Sequence, residues 1–259
     1  MGDVEGVLLD IDGVLTVSWE ALPGAVETIA RLRGDGIPFR LITNTTTHTR
    51  RDLAATLGNA GFDVRADEIV TAVVATASYL RAHHADARVH VLADGDARED
   101  LEGVNIGGVE DAEVIVLGGA GQDFTYERVN GVFRRLVDGA VLVGMHRNLY
   151  WRTREGWQLD GGAYVAALEE ATGRPAEICG KPAPAYFEEA VRSLGIAPDR
   201  VVMVGDDVVN DVLGAQSAGL TGILVRTGKF LPTDLQRTTR EPDHVIDSIA
   251  DLPAWLAAR

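Results

Sequence analysis

Short apolar, β-branched runs recur along the chain and alternate with longer stretches whose apolar residues fall at helical spacing. This alternation predicts an α/β protein with a mainly parallel sheet, because each crossover between parallel strands needs a helix-sized connection. The first strand is predicted at "GVLLD", residues 6–10, with a helix over about 24–33. A turn at "GDGIP" leads to a second strand ending near Thr43. Thr49, with Asp52 three residues on, reads as the N-cap of a helix carrying Leu53 and Leu57. A helix over about 72–83 precedes strands at "RVHVLA", "EVIVLGG" and "AVLVGM", with further helices near 126–136 and 163–171. Beyond "GRPAEICGKPAP" come a helix to Leu194, the strand "RVVMVG", a helix to Ala218, the strand "GILVR" and a short closing strand and helix. No repeat, linker or low-complexity stretch marks a boundary, so the pattern alone leaves a separate middle domain and one large sheet both open.

Composition narrows the class. A chain of 259 residues allows one to two domains, and 46% hydrophobic with 24% charged residues is ordinary for a globular core. A single cysteine, Cys179, excludes an internal disulfide and a Cys-rich metal site, which fits a reducing compartment. No apolar run approaches the roughly 20 residues of a membrane helix, and the N-terminus lacks a basic-then-apolar signal. A soluble, cytoplasmic protein with no membrane partner is therefore expected. The net charge of −15 argues against nucleic acid as a partner. Arginine carries almost all the basic charge; Lys181 and Lys229 are the only lysines. An acidic, lysine-poor surface suits high salt, and an Ala, Arg and Gly bias equally fits a GC-rich genome.

The chemistry gathers at strand ends, where open α/β sheets bind ligands. In order these ends carry Asp10 and Asp12, then Thr43 and Asn44, then Lys181, then Asp206 and Asp207 with Asp211 beyond. Asp10 and Asp12 are two apart, so in an extended chain both side chains project to one face. Like charges beside a core repel and are desolvated, so a cation, a proton or open water has to compensate. Each residue also has a plainer role. Asp12 before Gly13 suits a turn, Thr43 a strand, Lys181 an exposed helix start, Asp207 a helix cap and Asp211 a solvent face. Taken together, clustered carboxylates without a Cys or His framework favour magnesium over zinc, and Lys181 adds positive charge for an anion, which is the chemistry of phosphoryl transfer.

The segments "DIDGVLT", "LITNT", "GKPAPAYF" and "VGDDVVNDV" closely resemble the four motifs of the haloacid dehalogenase superfamily, in the expected order and at strand ends. The spacing is similar to the branch with a large insert between the second and third motifs, the NagD or 4-nitrophenylphosphatase type. "GWQLDGGAYVAALEEATG" and "VRTGKF" resemble its phospholysine phosphohistidine inorganic pyrophosphate phosphatase subgroup. The resemblance implies a Rossmann-like parallel-sheet core from residues 1–76 and 179–259, with an α/β cap of the C2 type at 77–178. It implies a Mg2+-dependent phosphatase of small phosphorylated metabolites working through an aspartyl phosphate. Asp10 would be the nucleophile, and Asp12 the acid and base. Thr43, the Asn44 amide and Lys181 would bind phosphate. Asp10, the Asp12 carbonyl, Asp206 and Asp211 would hold the metal, with Asp211 acting through water or by orienting Lys181. True dehalogenases lack the second acid and need no metal, so Asp12 and the acidic fourth motif count against carbon–halogen cleavage.

The resemblance also assigns substrate choice to the cap, where His146, Arg147, Asn148 and the segment 159–162 with Asp160 are candidates for reading a polar or anionic leaving group. A surface loop with Tyr150 and Trp151 as packed strand residues is the competing expectation. His83 and His84 end a helix and are expected in solvent. Gly119 and Gly121 lack a third glycine at dinucleotide-binding spacing, and "TGKF" lacks the Ser or Thr and the glycine spacing of a P-loop. A phosphotransferase or mutase on the same fold, and a receiver-like signalling module, are the alternative functions. A homodimer through the cap is compatible with the resemblance.

Overall fold

The structure is a computed structural model and describes residues 4–153 and 156–258. Along the chain come β1 (Gly6–Asp10), a small hairpin of β2 (Thr16–Val17) and β3 (Glu20–Ala21), α1 (Ala25–Gly34), β4 (Phe39–Thr43), α2 (Arg50–Asn59) and β5 (Ile69–Thr71). There follow α3 (Ala72–His83), β6 (Val89–Leu92), β7 (Val114–Leu117), α4 (Tyr126–Val137), β8 (Val141–Gly144), β9 (Tyr150–Thr153), β10 (Gly156–Leu159), α5 (Gly161–Thr172) and β11 (Glu177–Ile178). Last come α6 (Pro184–Leu194), β12 (Val201–Gly205), a π-helical turn (Val208–Leu213), α7 (Gly214–Ser217), β13 (Thr221–Val225), β14 (His244–Ile246) and α8 (Leu252–Ala257). The chain forms two compact units. The first takes the residues up to Thr43, Arg50–Val70 and those from Lys181 onward; the second takes Asn44–Thr49 and Thr71–Gly180.

The first unit is built on a six-stranded sheet in the order β14-β13-β12-β1-β4-β5. β1 pairs in parallel with β12 on one side and β4 on the other, with Leu9 opposite both Val204 and Leu41. All five residues of β1 are buried, as expected of a central strand covered on both faces, and this is why it reads as an unbroken apolar run. Val7, Leu9, Ile29, Leu32, Leu41, Leu53, Val202 and Ile223 join one core that fixes the strand in place. The strand order reverses at β1, which makes its C-terminal end the topological switch point of the sheet. One expected helix differs: the stretch to Ala218 is not a continuous α-helix, since a π-helical turn occupies Val208–Leu213 before the short α7.

The second unit holds a four-stranded sheet in the order β11-β8-β7-β6, all parallel. Leu92, Ile115, Leu117, Val132, Leu136, Leu142 and Val165 form its core beneath α4 and α5. β9 and β10 pair as an antiparallel hairpin in a sheet of their own. Tyr150 is 60% exposed and Trp157 69%, and the two rings meet edge to face at 5.4 Å. Tyr150 is thus a strand residue that packs on its hairpin partner while staying exposed; the side chain of Trp151 lies outside the described residues. His83 is exposed as expected, with its ring 4.7 Å from that of Tyr79. No helix among the described residues is long and apolar enough to cross a membrane.

Asp160 caps α5: its Oδ1 accepts the N–H of Gly161 at 2.8 Å and of Ala120 at 3.1 Å. His146 is buried at 3% exposure, with Nδ1 accepting the Asn148 N–H at 3.2 Å and Nε2 3.8 Å from Asp160 Oδ2. An Nδ1 that accepts belongs to a neutral ring protonated on Nε2. Burial lowers the imidazole pKa below its usual value, with Asp160 opposing the shift. A histidine whose folded pKa is depressed binds fewer protons than in the unfolded chain, so it costs stability as pH falls below the unfolded value of about 6.5. Urea unfolding of the protein and its His146→Gln variant between pH 5 and 8 should show the wild type losing the more stability toward the acid side. Parallel pH profiles would refute the neutral, desolvated imidazole.

Candidate active site

The end of β1 sets the site. Asp10 is its last residue, level with Ile42 of β4, and is only 4% exposed. Asp206 follows β12 directly, and Asp211 lies inside the π-helical turn; both are 1% exposed. One carboxylate oxygen from each of Asp10, Asp206 and Asp211 lies within 4.8 Å of the others. Lys181, two residues before the N-cap of α6, reaches the same place: its Nζ donates to Asp10 Oδ1 at 2.6 Å and to Asp211 Oδ1 at 2.7 Å. Neither plainer role, an exposed helix start for Lys181 or a solvent face for Asp211, is what the structure shows, since both side chains are buried. Each side chain is drawn inward by the other's charge, and the wider π turn gives Asp211 the reach.

Three buried carboxylates against one ammonium leave two negative charges in excess, and the pKa values register it. Desolvation raises Asp10, with Lys181 opposing and Asp206 adding to the rise. Desolvation likewise pushes Asp206 up to about 6 against the hydrogen bond from the Lys229 amide, and Asp211 up to about 6, helped by Asp10. Burial disfavours the Lys181 ammonium, but Asp10 and Asp211 outweigh it and hold the pKa well above normal. The donor set fits a hard divalent cation: every donor is oxygen, the excess charge matches, and Asp206 Oδ1 is buried with no hydrogen-bond partner.

Asp12 stands apart from this cluster, with its side chain exposed. Enough protein surrounds it that desolvation still raises its pKa, opposed first by Lys229 and then by Lys181. Gly13 follows with φ of +90°, a left-handed conformation that lets the Gly13 amide bond the Thr16 carbonyl at 2.7 Å. A Cβ at Gly13 would come within 2.1 Å of Asp206 Oδ2, so glycine is needed for space as well as for conformation.

Thr43 ends β4 buried, and Asn44 follows half-buried. Tyr186 of α6 anchors this strand end. Its buried hydroxyl accepts the Thr43 N–H at 2.8 Å and offers its proton to the carbonyls of Thr43, at 2.9 Å, and Val70, at 2.7 Å. Asp207 caps the turn after β12, accepting the N–H groups of Val209 and Asn210 at 3.0 and 2.9 Å, as its helix-cap role predicts.

Two contributors escape the sequence reading. Tyr186 sits inside the third motif but reads as an ordinary apolar helix position. Lys229 donates its amide to Asp206 Oδ2 at 2.6 Å; its signals were the scarcity of lysine and its place in "VRTGKF", and neither pointed to this contact. In the second unit, His146 and Asp160 face each other as described, Arg147 is engaged by Glu169 at 2.8 and 2.6 Å, and Asn148 is exposed.

Comparison with known proteins agrees with this geometry. A family model described as haloacid dehalogenase-like hydrolase matches residues 7–107, and a second model of the same kind matches residues 178–252. Haloacid dehalogenase-like hydrolase domain-containing protein 2 of Homo sapiens is 38% identical over 95% of this chain and 96% of its own length. The phospholysine phosphohistidine inorganic pyrophosphate phosphatase of Danio rerio is 36% identical over 95% of this chain and 92% of its own. Among solved structures, the p-nitrophenyl phosphatase from Archaeoglobus fulgidus matches with a TM-score of 0.90 at 28% identity, covering all of both chains. NagD from E. coli K-12 matches with a TM-score of 0.88 at 27% identity, over 96% of this chain and 98% of that one. This chain belongs to the haloacid dehalogenase-like hydrolase family and is a phosphatase of its NagD and p-nitrophenyl phosphatase branch.

Proposed function

We propose that the enzyme is a magnesium-dependent phosphatase of small phosphorylated metabolites that passes through an aspartyl phosphate on Asp10. The observation that carries this reading is the cluster of three buried carboxylates around one buried ammonium at the ends of β1 and β12. Asp10, Asp206, Asp211 and the main-chain carbonyl of Asp12 would hold Mg2+, which supplies the positive charge that lets an anionic nucleophile approach an anionic phosphoryl group.

A carboxylate oxygen of Asp10 attacks phosphorus, and the leaving oxygen departs with the bonding pair and takes a proton from Asp12. The raised pKa of Asp12 suits a group that has to carry a proton for part of the cycle. Lys181, the Thr43 hydroxyl and the Asn44 amide hold the phosphoryl oxygens, so that positioning and charge do most of the catalysis. Asp12 then takes a proton from water, which attacks phosphorus and frees Asp10. Substrate choice falls to residues 77–178, the cap inserted into a core of 1–76 and 179–259. Within it Asn148 offers an exposed side chain, whereas His146 and Asp160 pair with each other. Relatives named for p-nitrophenyl phosphate and for phospholysine, phosphohistidine and pyrophosphate support a small phosphorylated substrate.

Asp10→Asn should lower turnover of 4-nitrophenyl phosphate on the order of 10⁴-fold or more while the circular dichroism spectrum and melting temperature stay native. Chelation should abolish turnover and added Mg2+ restore it; activity that survives either treatment would sink the mechanism. Gly13→Ala should cut kcat by about 10²-fold, the scale expected when a catalytic group shifts by roughly 1 Å, because its Cβ displaces Asp206. Unchanged kcat in a folded Gly13→Ala enzyme would show that the tight packing of Gly13 on Asp206 is not needed for catalysis.

A further inference from the structure

Tyr186 is fully buried, and its hydroxyl serves main-chain groups of two neighbouring strands, β4 and β5. It accepts the Thr43 N–H at 2.8 Å, and its one proton lies between the carbonyls of Thr43, at 2.9 Å, and Val70, at 2.7 Å. The pairing of β1 with β4 stops at Asp10 and Ile42, one residue short of Thr43. Thr43 and Val70 are also the last residues of their segments in the first unit before the chain passes into the second. Main-chain groups buried past the end of a ladder need another partner, and here a helix side chain supplies one.

The helix that carries Tyr186 is itself fixed. Pro184 opens α6, and the Tyr186 N–H donates to the Ala183 carbonyl at 3.0 Å. Phe187, the next residue, is packed so closely that a Cβ on Gly214 would come within 2.8 Å of its ring. Near the far end of the helix, Arg40 of β4 donates to the Ser193 hydroxyl at 3.0 Å and to the Ser193 carbonyl at 2.6 Å. α6 is thus held to β4 at both ends, which makes the Tyr186 hydroxyl a fixed point for the strand end.

A bond to the Thr43 oxygen does more than hold the strand. The peptide that joins Thr43 to Asn44 is planar, with its N–H directed away from its C=O, so fixing the carbonyl on Tyr186 fixes the direction of the Asn44 N–H. We propose that Tyr186 is a positioning residue for phosphoryl binding: gripping Thr43 by both its N–H and its C=O, the hydroxyl aims the Thr43 side chain and the Asn44 amide at the transferring group. This rests on the phosphate-binding roles proposed above for those two groups. Tyr186, being fully buried, acts only through them. The carboxylates that would hold the metal stand on other elements, Asp10 on β1, Asp206 after β12 and Asp211 in the π-helical turn, so loss of the hydroxyl separates phosphate affinity from metal affinity.

The test is Tyr186→Phe, which removes one oxygen and keeps the ring. KM for 4-nitrophenyl phosphate and the inhibition constant of inorganic phosphate should both rise about tenfold, while the Mg2+ concentration for half-maximal activity stays within about twofold of wild type. Thr43→Val should raise the same two constants, and Tyr186→Phe added to it should cost less than it does alone, since both act on one phosphate contact. Tyr186→4-aminophenylalanine, whose amine donates to both carbonyls but accepts poorly from the Thr43 N–H, should raise the phosphate constant by only about threefold. Unchanged phosphate inhibition in a folded Tyr186→Phe enzyme, an equal loss of Mg2+ affinity, or full additivity with Thr43→Val would each overturn the positioning role. No rise with Tyr186→4-aminophenylalanine would overturn it even where Tyr186→Phe does not fold. Thr43→Val with both constants unchanged would instead overturn the phosphate-binding role given to Thr43, and leave the response to Tyr186→Phe to decide for the Asn44 amide. Activity that needs no Mg2+ would overturn the magnesium reading and leave phosphate inhibition to decide on Tyr186.

Discussion

The double hydrogen bond from the Lys181 ammonium to Asp10 and Asp211 is the contact on which the site depends. Without it three carboxylates would share a buried pocket with no countercharge, and removing one partner of such a set commonly costs about 3–5 kcal/mol because the remaining charges stay buried. With it the deficit drops to two charges, a quantity a single divalent ion can neutralise. The bond also constrains the chain: Lys181 comes three residues after the end of β11, and its ammonium is held directly at the end of β1.

A central parallel strand makes that arrangement affordable. β1 is buried along its whole length, and its neighbours β12 and β4 deliver Asp206 and Thr43 to the same end without any long loop. Backbone closeness then sets the tolerances. Gly13 and Gly228 pack against each other and against Oδ2 of Asp206, and the Tyr186 hydroxyl ties the end of β4 to Val70 and α6. Asp10 cannot relax away from Asp206, because β1, which carries it, is paired with β12, which Asp206 directly follows.

Much of this was legible in the chain. A parallel sheet places its strand ends together, so Asp10, Thr43 and Asp206 could be grouped from the strand pattern; Lys181 follows a strand of the other sheet, β11, and reaches the group from just before α6. Asp211 was harder, because a helical spacing from Asp207 suggests a solvent face and only the π-helical turn swings it inward. Lys229 was hidden for another reason. Its segment is held by Thr227 on Gly13, a contact 214 residues apart in sequence, and no local pattern encodes it. His146 and Asp160 read as candidates for binding a ligand; folding pairs the two with each other, a match between residues fourteen positions apart that spacing does not announce.

A net charge of −15 opposes the approach of anions to a phosphatase, and the position of the lysines bears on how far. At physiological ionic strength charges are screened over about 8 Å, so the acidic surface as a whole weighs little on a phosphate already at the mouth of the site. The groups within that distance decide, and both lysines in the chain feel the carboxylates of Asp10 and Asp211. Lysine offers a compact ammonium on a flexible stem, suited to a buried point contact, whereas the guanidinium of arginine is a rigid planar fork. Lys181 is such a group at the buried end of the site, with its ammonium bonded to Asp10 and Asp211.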